Sequence, residues 1–489
     1  MTTQGISQAC KVALGMIIVR MLAKEEVGTY RQAFLVYTFL ASLLSLHLDG
    51  SLYYFVPRLR DTRLAGFLRQ TFVLTALMGG LIAVMMYLGA GTFARILGND
   101  DLVPLVQILC LYPFGEKLLL LVPSFMISRD RAVHAGLYTV AGALLRIALV
   151  AGILKAGGDL ASVFTWLVAA TCGLGLIGAI DMYRFAGRTH TEMRTAHFRE
   201  QLSYCLPLLV NSAVAVANLQ FDKFLISHYF DAATFAVYSC GAMDLPMITL
   251  ITSSLGNAIM PNLVQMAHQG DHEGTIALWQ KAMRKSALAI FPCFVFFMVV
   301  GRDFMVLLYG DAYAQAAWPF RIYLLGLPIR IAVYSALLRA LGHTRPIAIS
   351  ALVGLVSNVG ISIALIVMGG GGLLSFNAPE IGTIVSYFAI ALYCLWVISS
   401  RLKRPIGELM RWGALARLLA VCAVAGLPPA LVTLPHWPLW LGLPMRAVLF
   451  AAGLLAALLL SGELLEDERR MLRFPLRRFL GRGKGPPPP

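Results

Sequence analysis

The residues that stand out in this chain are ionisable groups set inside long apolar runs. Arg146, Arg330 and Lys117 lie deep in hydrophobic segments, and Arg20 and Lys223 lie nearer the ends of theirs. The acids placed in the same way are Asp49, Glu116, Asp222 and Asp244. A charge at the bilayer centre costs about 2.5–3.5 kcal/mol on the lenient insertion scale, so three deep cations facing lipid would cost on the order of 8–10 kcal/mol. That rivals the whole stability of a domain. Such residues must be paired, hydrated or both, which implies a wet cavity. Cations in that cavity suit an anionic passenger, because arginine offers phosphate or carboxylate a bidentate fork and keeps its charge when buried. Coupling to H+ or Na+ would fall to a titratable carboxylate, and Asp49, Asp222 and Asp244 are the candidates.

Structural roles compete at each position. Glu116 and Lys117 are neighbours, so they point about 100° apart on a helix and need not pair. Asp222 and Lys223 also read as a helix-end charge pair, and Arg20 and Lys223 also read as side chains reaching toward headgroups. Asp49 with His47 also reads as a hydrogen-bonding pair between helices. Arg146 and Arg330 are isolated cations within helices, one in each half of the chain, and are assigned to the cavity. The histidines show no ligand spacing.

The element that organises these groups runs from Gln201 to Phe230 as a single membrane-length helix. Its polar residues Asn211, Asn218 and Asp222 are spaced by seven and four, which puts them on one helical face. With a polar stripe along one side, this helix is expected to face something other than lipid. A return helix carrying Asp244 and Pro246 follows it.

Bulk composition agrees. The chain has 489 residues and is 58% hydrophobic, with a mean hydropathy of +0.75, too apolar for a soluble protein of this length. Its net charge of +15 would suggest nucleic acid in a soluble chain. Here the basic residues sit between apolar runs, on alternate sides, and no nucleic-acid partner is implied. All eight cysteines fall inside apolar stretches without a Cys-x-x-Cys pair, so neither a disulfide framework nor a metal site follows. No cofactor is expected. Gly369 to Gly372 follows an apolar helix and lacks the Lys-Ser/Thr of a phosphate-binding loop, which argues against an ATP-driven pump.

Fourteen membrane segments are expected, near 5–22, 32–57, 66–89, 102–128, 132–155, 160–186, 200–229, 232–262, 278–300, 315–341, 345–369, 378–400, 412–434 and 440–461. The first is short and holds Lys11 and Arg20, and no small-residue cleavage pattern follows it. Loops after even-numbered segments are rich in Arg and Lys, from Arg58 and Arg60 through Arg188 and Lys285 to Arg404, and those after odd-numbered segments are not. The positive-inside rule then puts both termini in the cytoplasm. The expected division is a six-helix lobe over 1–190, a second over 191–400, two added helices over 401–462, and a basic, Pro-ended tail over 463–489. That tail reads as an anchor on anionic headgroups, with partner docking as the alternative.

The two lobes overlay weakly: Leu22 to Tyr30 aligns with Phe230 to Tyr238, and Arg131 to Gly157 matches Arg345 to Gly371 in length. Both repeats start from the same side, so the repeat is parallel.

The Pro-containing helix with Asp222-Lys223 near its end, the short turn and the Val237-Tyr238-Ser239 return resemble the midpoint of the Wzx-type polysaccharide flippases. The stretch VRMLAKEEVGTYRQAFLVYTFLASLLSLHLDG, Val19 to Gly50, is similar to that family's opening, with its Arg-x-Leu, acidic pair and Gly-x-Tyr. The resemblance spans nearly the whole chain, through loose motifs. Relatives carry a longer basic lead before the first helix, so the chain is expected to start late. The resemblance implies an all-α polytopic membrane protein with two six-helix lobes around a central cavity and two extra C-terminal helices, located in the inner (cytoplasmic) membrane. It implies a non-enzyme that turns a polyprenyl-pyrophosphate-linked oligosaccharide from the cytoplasmic to the outer leaflet. The substrate-binding set would be Arg146, Arg330, Lys117, Arg20, Lys223, Asn211 and Asn218, and pathway partners would be a polymerase and glycosyltransferases. Alternatives on the same fold are a lipid II-type flippase and a multidrug or cation antiporter, whose cavity should be acidic and aromatic. A polysaccharide polymerase or ligase is the alternative of another class. It would need a large outer loop, whereas the outer loops here do not exceed about 15–20 residues.

Overall fold

The computed structural model describes residues 2–44, 46–59, 61–186, 195–243, 245–343, 345–432 and 437–463. Asp244, the loop arginines Arg188 and Arg194, and the tail beyond Glu463 lie outside the described residues. In chain order the helices are α1 (Thr2–Met21), α2 (Lys24–Leu44), α3 (Leu48–Phe55), α4 (Asp61–Leu97), α5 (Leu102–Leu109), α6 (Tyr112–Ser128) and α7 (Ala132–Lys155). Then come α8 (Leu160–Ala186), α9 (Thr195–Tyr229), α10 (Ala232–Gly241), α11 (Pro246–His268), α12 (His272–Tyr309), α13 (Ala317–Leu324) and α14 (Leu327–Arg330). The last are α15 (Tyr334–Ala340), α16 (Arg345–Met368), α17 (Leu373–Leu402), α18 (Ile406–Leu409), α19 (Trp412–Ala425), α20 (Leu427–Leu431) and α21 (Leu439–Leu460). No strand occurs among the described residues. This is what a lipid solvent demands, since a helix satisfies its backbone polar groups within one segment. The chain is an all-α, multi-pass membrane protein.

Among the described residues, nine helices are long and apolar enough to cross a membrane, or eleven if two bent pairs each count as one span. The expected segments near 5–22, 200–229 and 232–262 are helical but are not among these. Polar residues such as Lys11, Asn218 and Asn257 interrupt them. Several segments expected as single helices are broken. The return helix near 232–262 is two helices, α10 ending at Gly241 and α11 starting at Pro246. The segment near 315–341 becomes α13, α14 and α15, with Gly326 and Pro328 at one break. A 41° bend separates α5 from α6, where Pro113 opens the second helix. Other helices outrun their apolar windows: α4 has 37 residues and α12 has 38, about 55 Å each at 1.5 Å per residue. That exceeds the ~30 Å hydrocarbon core.

Contacts divide the chain into two compact units. The first holds Met1–Met243, Leu308–Pro319 and Ala351–Ala389, and the second holds Asp244–Leu307, Phe320–Ser350 and Ile390–Pro489. In the first unit α6 packs along α8, α1 along α7, and α2 against both α9 and α10. Close approach needs glycine. A Cβ on Gly115 of α6 would stand 2.5 Å from the Cys172 nitrogen of α8, and one on Gly28 of α2 would fall onto the Ala232 carbonyl of α10. The two repeated openings, which start α2 and α10, therefore lie directly against each other. In the second unit Arg446 of α21 pairs with Asp303 of α12 at 2.5 Å, and Glu463 accepts from Arg417 at 2.7 Å.

Candidate functional site

The first unit gathers three of the intramembrane charges into one cavity. Helices α1, α6 and α7 form a half-open pocket of about 210 Å³ whose lining includes Lys11, Glu116, Tyr138 and Arg146. Arg146 is half-buried, and its Nε is fully shielded with no hydrogen-bond partner. Its guanidinium also lies 5.7 Å from the centre of the Tyr112 ring. An unsatisfied guanidinium N–H is costly to bury. Arg146 and Lys11 together line the cavity, and such a cationic lining suits an anionic oxygen. Glu116 moderates that charge without cancelling it, because Lys11 and Arg146 outnumber it in the lining. Lys11 stood in the sequence only as a flaw in the first segment, and here it faces the same space as Arg146.

Lys117 points elsewhere. It lines a second cavity of about 150 Å³ with His47, Asp49 and Thr75, so adjacent residues on α6 serve different spaces, as their 100° separation requires. Asp49 therefore shares a cavity with a cation, apart from Glu116, Asp222 and Glu380.

A deeply buried polar group lies where α9, α10, α16 and α17 meet. Asp222, Asn358, Ser362, Glu380 and Thr383 are each nearly or fully excluded from solvent. The Tyr238 hydroxyl donates to Asp222 Oδ2 at 3.4 Å. Asn358 donates to Asn218 Oδ1 at 3.3 Å, while its own Oδ1 accepts from Ser362 at 3.0 Å and from Thr383 at 3.5 Å. Glu380 faces Asp222 and Tyr238, yet neither of its oxygens makes a hydrogen bond of ordinary geometry. Two buried carboxyls beside one hydroxyl cannot both hold bare charge at acceptable cost, so the site calls for a proton or a cation. Among the described residues no three His, Cys, Asp or Glu side chains are placed to hold a metal ion. The donors on offer are carboxylate, amide and hydroxyl oxygens, which suit a proton or an alkali cation.

Glu380 escaped the sequence reading because the apolar window near 378–400 put it at a membrane boundary. The helix begins five residues earlier, at Leu373, and carries Glu380 two turns inward. Of the other expected site residues, Asn218 joins this cluster. Lys223 reaches back to Gln220 Oε1 at 3.2 Å, and Arg20 Nε donates to the Leu308 carbonyl at 3.2 Å. Arg330 ends the one-turn helix α14 in the second unit, so it sits at a helix break and not within a continuous helix. Asn211 lies on α9, but its side chain is outside the described residues, as is Asp244.

The family decides the wider reading. Residues 17–318 match the family described as "Polysaccharide biosynthesis protein". The chain belongs to that family. Solved structures agree on the fold of this polysaccharide biosynthesis protein. It superposes on the lipid II flippase MurJ in an inward-closed conformation with a TM-score of 0.70 and 13% identity, covering 92% of this chain and 97% of that one. An inward-facing multidrug resistance MATE family transporter of the MOP superfamily gives 0.65 at 14% identity, over 81% and 94% of the two chains. MATE in complex with MaL6 gives 0.54 at 14% identity, over 82% and 93%. No curated protein matches by sequence. At such low identity the likeness establishes a shared helical fold.

Proposed function

We propose that this family member is a flippase that moves a polyprenyl-pyrophosphate-linked oligosaccharide from the cytoplasmic to the outer leaflet of the inner membrane, without itself being an enzyme. The observation that carries the reading is the Arg146 cavity, a half-open pocket that Arg146 and Lys11 line together inside a transporter fold. A pyrophosphate would match the excess of cations that Lys11 and Arg146 leave over Glu116 in this lining. Both termini lie in the cytoplasm by the positive-inside rule. The lobes over 1–190 and 191–400 alternate in exposing the passenger, with 401–462 as added helices. Asp222 and Glu380 take up and release the coupling ion, H+ or Na+, within the α9–α16–α17 cluster. Asp49, which lines the second cavity with Lys117, serves that cavity's charge balance instead. A polymerase and glycosyltransferases would supply and consume the passenger.

The test measures export of lipid-linked oligosaccharide and membrane abundance together. Arg146→Gln keeps hydrogen-bonding capacity but loses charge, and it should abolish export at normal abundance. Arg146→Lys should retain partial export, because it keeps the charge and loses the planar fork. The same pair at Arg330 asks whether that cation contributes. Normal export from Arg146→Gln removes the anionic-passenger reading.

A lipid II-type passenger is the second reading, favoured by coverage of nearly the whole MurJ chain at a TM-score of 0.70. It predicts that this chain sustains peptidoglycan synthesis when the cell's own lipid II flippase is depleted, whereas the first reading predicts that it does not.

A further inference from the structure

Four connecting turns that the sequence places after odd-numbered segments converge in the first unit. They precede α2, join α9 to α10, follow α12, and join α16 to α17. Between them lies an open cleft of about 490 Å³ lined by Lys24, Phe230, Thr234, Gln315, Trp318 and Phe376. Trp318 is 52% exposed there. A half-exposed indole near the end of a membrane helix has an ordinary role as an interfacial anchor, but this one shares a concave polar surface with two phenylalanines. Phe376 itself is fixed by edge contacts with Phe230 at 6.3 Å and Tyr238 at 5.9 Å. The Lys24 ammonium stands 5.8 Å from the centre of the Tyr313 ring. Gly371 and Gly372 of the turn between α16 and α17 line the cleft without side chains, and Gly370 and Gly371 take φ 56° and 84°.

We propose that this cleft is a saccharide-binding site on the outer face, which receives the sugar head of the passenger as it leaves. The proposal rests on the flippase reading for the identity of the passenger. Its own argument is chemical. Aromatic faces stack on the C–H faces of hexose rings, while Gln315, Thr234 and Lys24 offer the directional polar contacts that hydroxyl groups need. The volume falls in the usual range for small-molecule sites. Lys24 adds a preference for sugars bearing carboxylate or phosphate. The cleft is remote in sequence from Arg146 and takes the head group, whereas the Arg146 cavity takes the pyrophosphate.

The test uses the full chain in liposomes and, as probe, the oligosaccharides released by mild acid from the lipid-linked pool of the producing cells. Calorimetric titration gives binding, and flipping of lipid-linked oligosaccharide is followed in the same liposomes. Trp318→Leu should weaken probe binding about fivefold to tenfold, as expected for losing one aromatic stacking contact. Trp318→Phe should keep most of it, and Lys24→Gln should weaken acidic probes more than neutral ones. Probe binding unchanged by Trp318→Leu overturns the proposal, as does a wild-type protein that flips the lipid-linked form but binds no free saccharide. Wild-type protein that binds the probe through Trp318 yet flips nothing leaves the cleft standing and removes the flippase reading. If Trp318→Leu slows export only when a second membrane protein of the pathway is present, the cleft docks protein and the saccharide assignment fails.

Discussion

Arg31 Nη1 donates a hydrogen bond to the Ser239 hydroxyl at 3.1 Å, joining α2 to α10 across 208 residues of sequence. The same guanidinium is in reach of Cys240 and of the Tyr309 hydroxyl, and Tyr309 in turn contacts Met243 Sδ at 3.8 Å. One cation thus ties α2, just past its repeated opening, to the matching position of α10 and to the end of α12.

Removing it should be costly. Ser239→Ala strands one donor of a charged hydrogen bond and should destabilise by about 1.5–3 kcal/mol. Arg31→Ala should cost more, since it leaves several acceptors unpaired. Thermal unfolding of both variants and of the double mutant in detergent checks this, and additive effects would show that the two residues do not act as a pair.

Gly28 gives a steric prediction. Any side chain there meets the Ala232 carbonyl, and backbone yields less readily than a flexible side chain. Gly28→Ala should therefore separate α2 from α10 at a cost of about 1–3 kcal/mol. Gly15→Ala, which meets nothing within 4 Å, should be tolerated. Membrane abundance and melting temperature of the two variants separate packing from mere loss of a glycine.

The buried carboxyls should act on coupling rather than on folding. Glu380→Gln and Asp222→Asn preserve shape and remove the ability to carry charge. Export driven by an imposed ion gradient should be lost in both, while abundance stays near wild type. Repeating the measurement with a proton gradient and with a sodium gradient identifies the ion. Gradient-driven export at the wild-type rate in Glu380→Gln would assign the group to structure alone.

Asp159 supplies a pH prediction outside the membrane-spanning helices. Its carboxylate caps α8, accepting from the Ser162 backbone at 3.0 Å and the Ser162 hydroxyl at 2.5 Å. Those bonds hold its pKa below the usual aspartate value. The folded-state pKa is depressed, so the cap's contribution is present in full above the unfolded value of about 3.9 and is lost as pH falls through the lowered one. Asp159→Asn keeps the cap and removes the titration. Its melting temperature should therefore show a weaker decline below about pH 4 than that of the wild type.

Much of this was legible in the chain, and the limits have physical causes. Hydropathy marked where helices run, because lipid leaves the backbone no other solution. It did not mark where they end. Polar residues extend α4, α9, α12 and α17 beyond their apolar windows, and that is why Glu380 looked peripheral. The charges of Arg146 and Lys117 declared a cavity, but which charges share one depends on helix rotation. A 100° step on α6 sends Glu116 and Lys117 to different spaces. The pairing of Asn218 with Asn358 spans 140 residues and leaves no trace in local periodicity.

Helix α9 is fastened near both of its ends. Near its start Gln201 donates to Ser51 at 3.0 Å and Thr71 at 3.1 Å and accepts from Gln70 at 2.8 Å. Near its finish Ser227 accepts from Gln32 at 2.8 Å, and His228 meets the Ile96 carbonyl at 2.6 Å. With α9 pinned at Gln201 and at Ser227, Asn218 and Asp222 between them are held in register with Asn358 of α16 and Glu380 of α17.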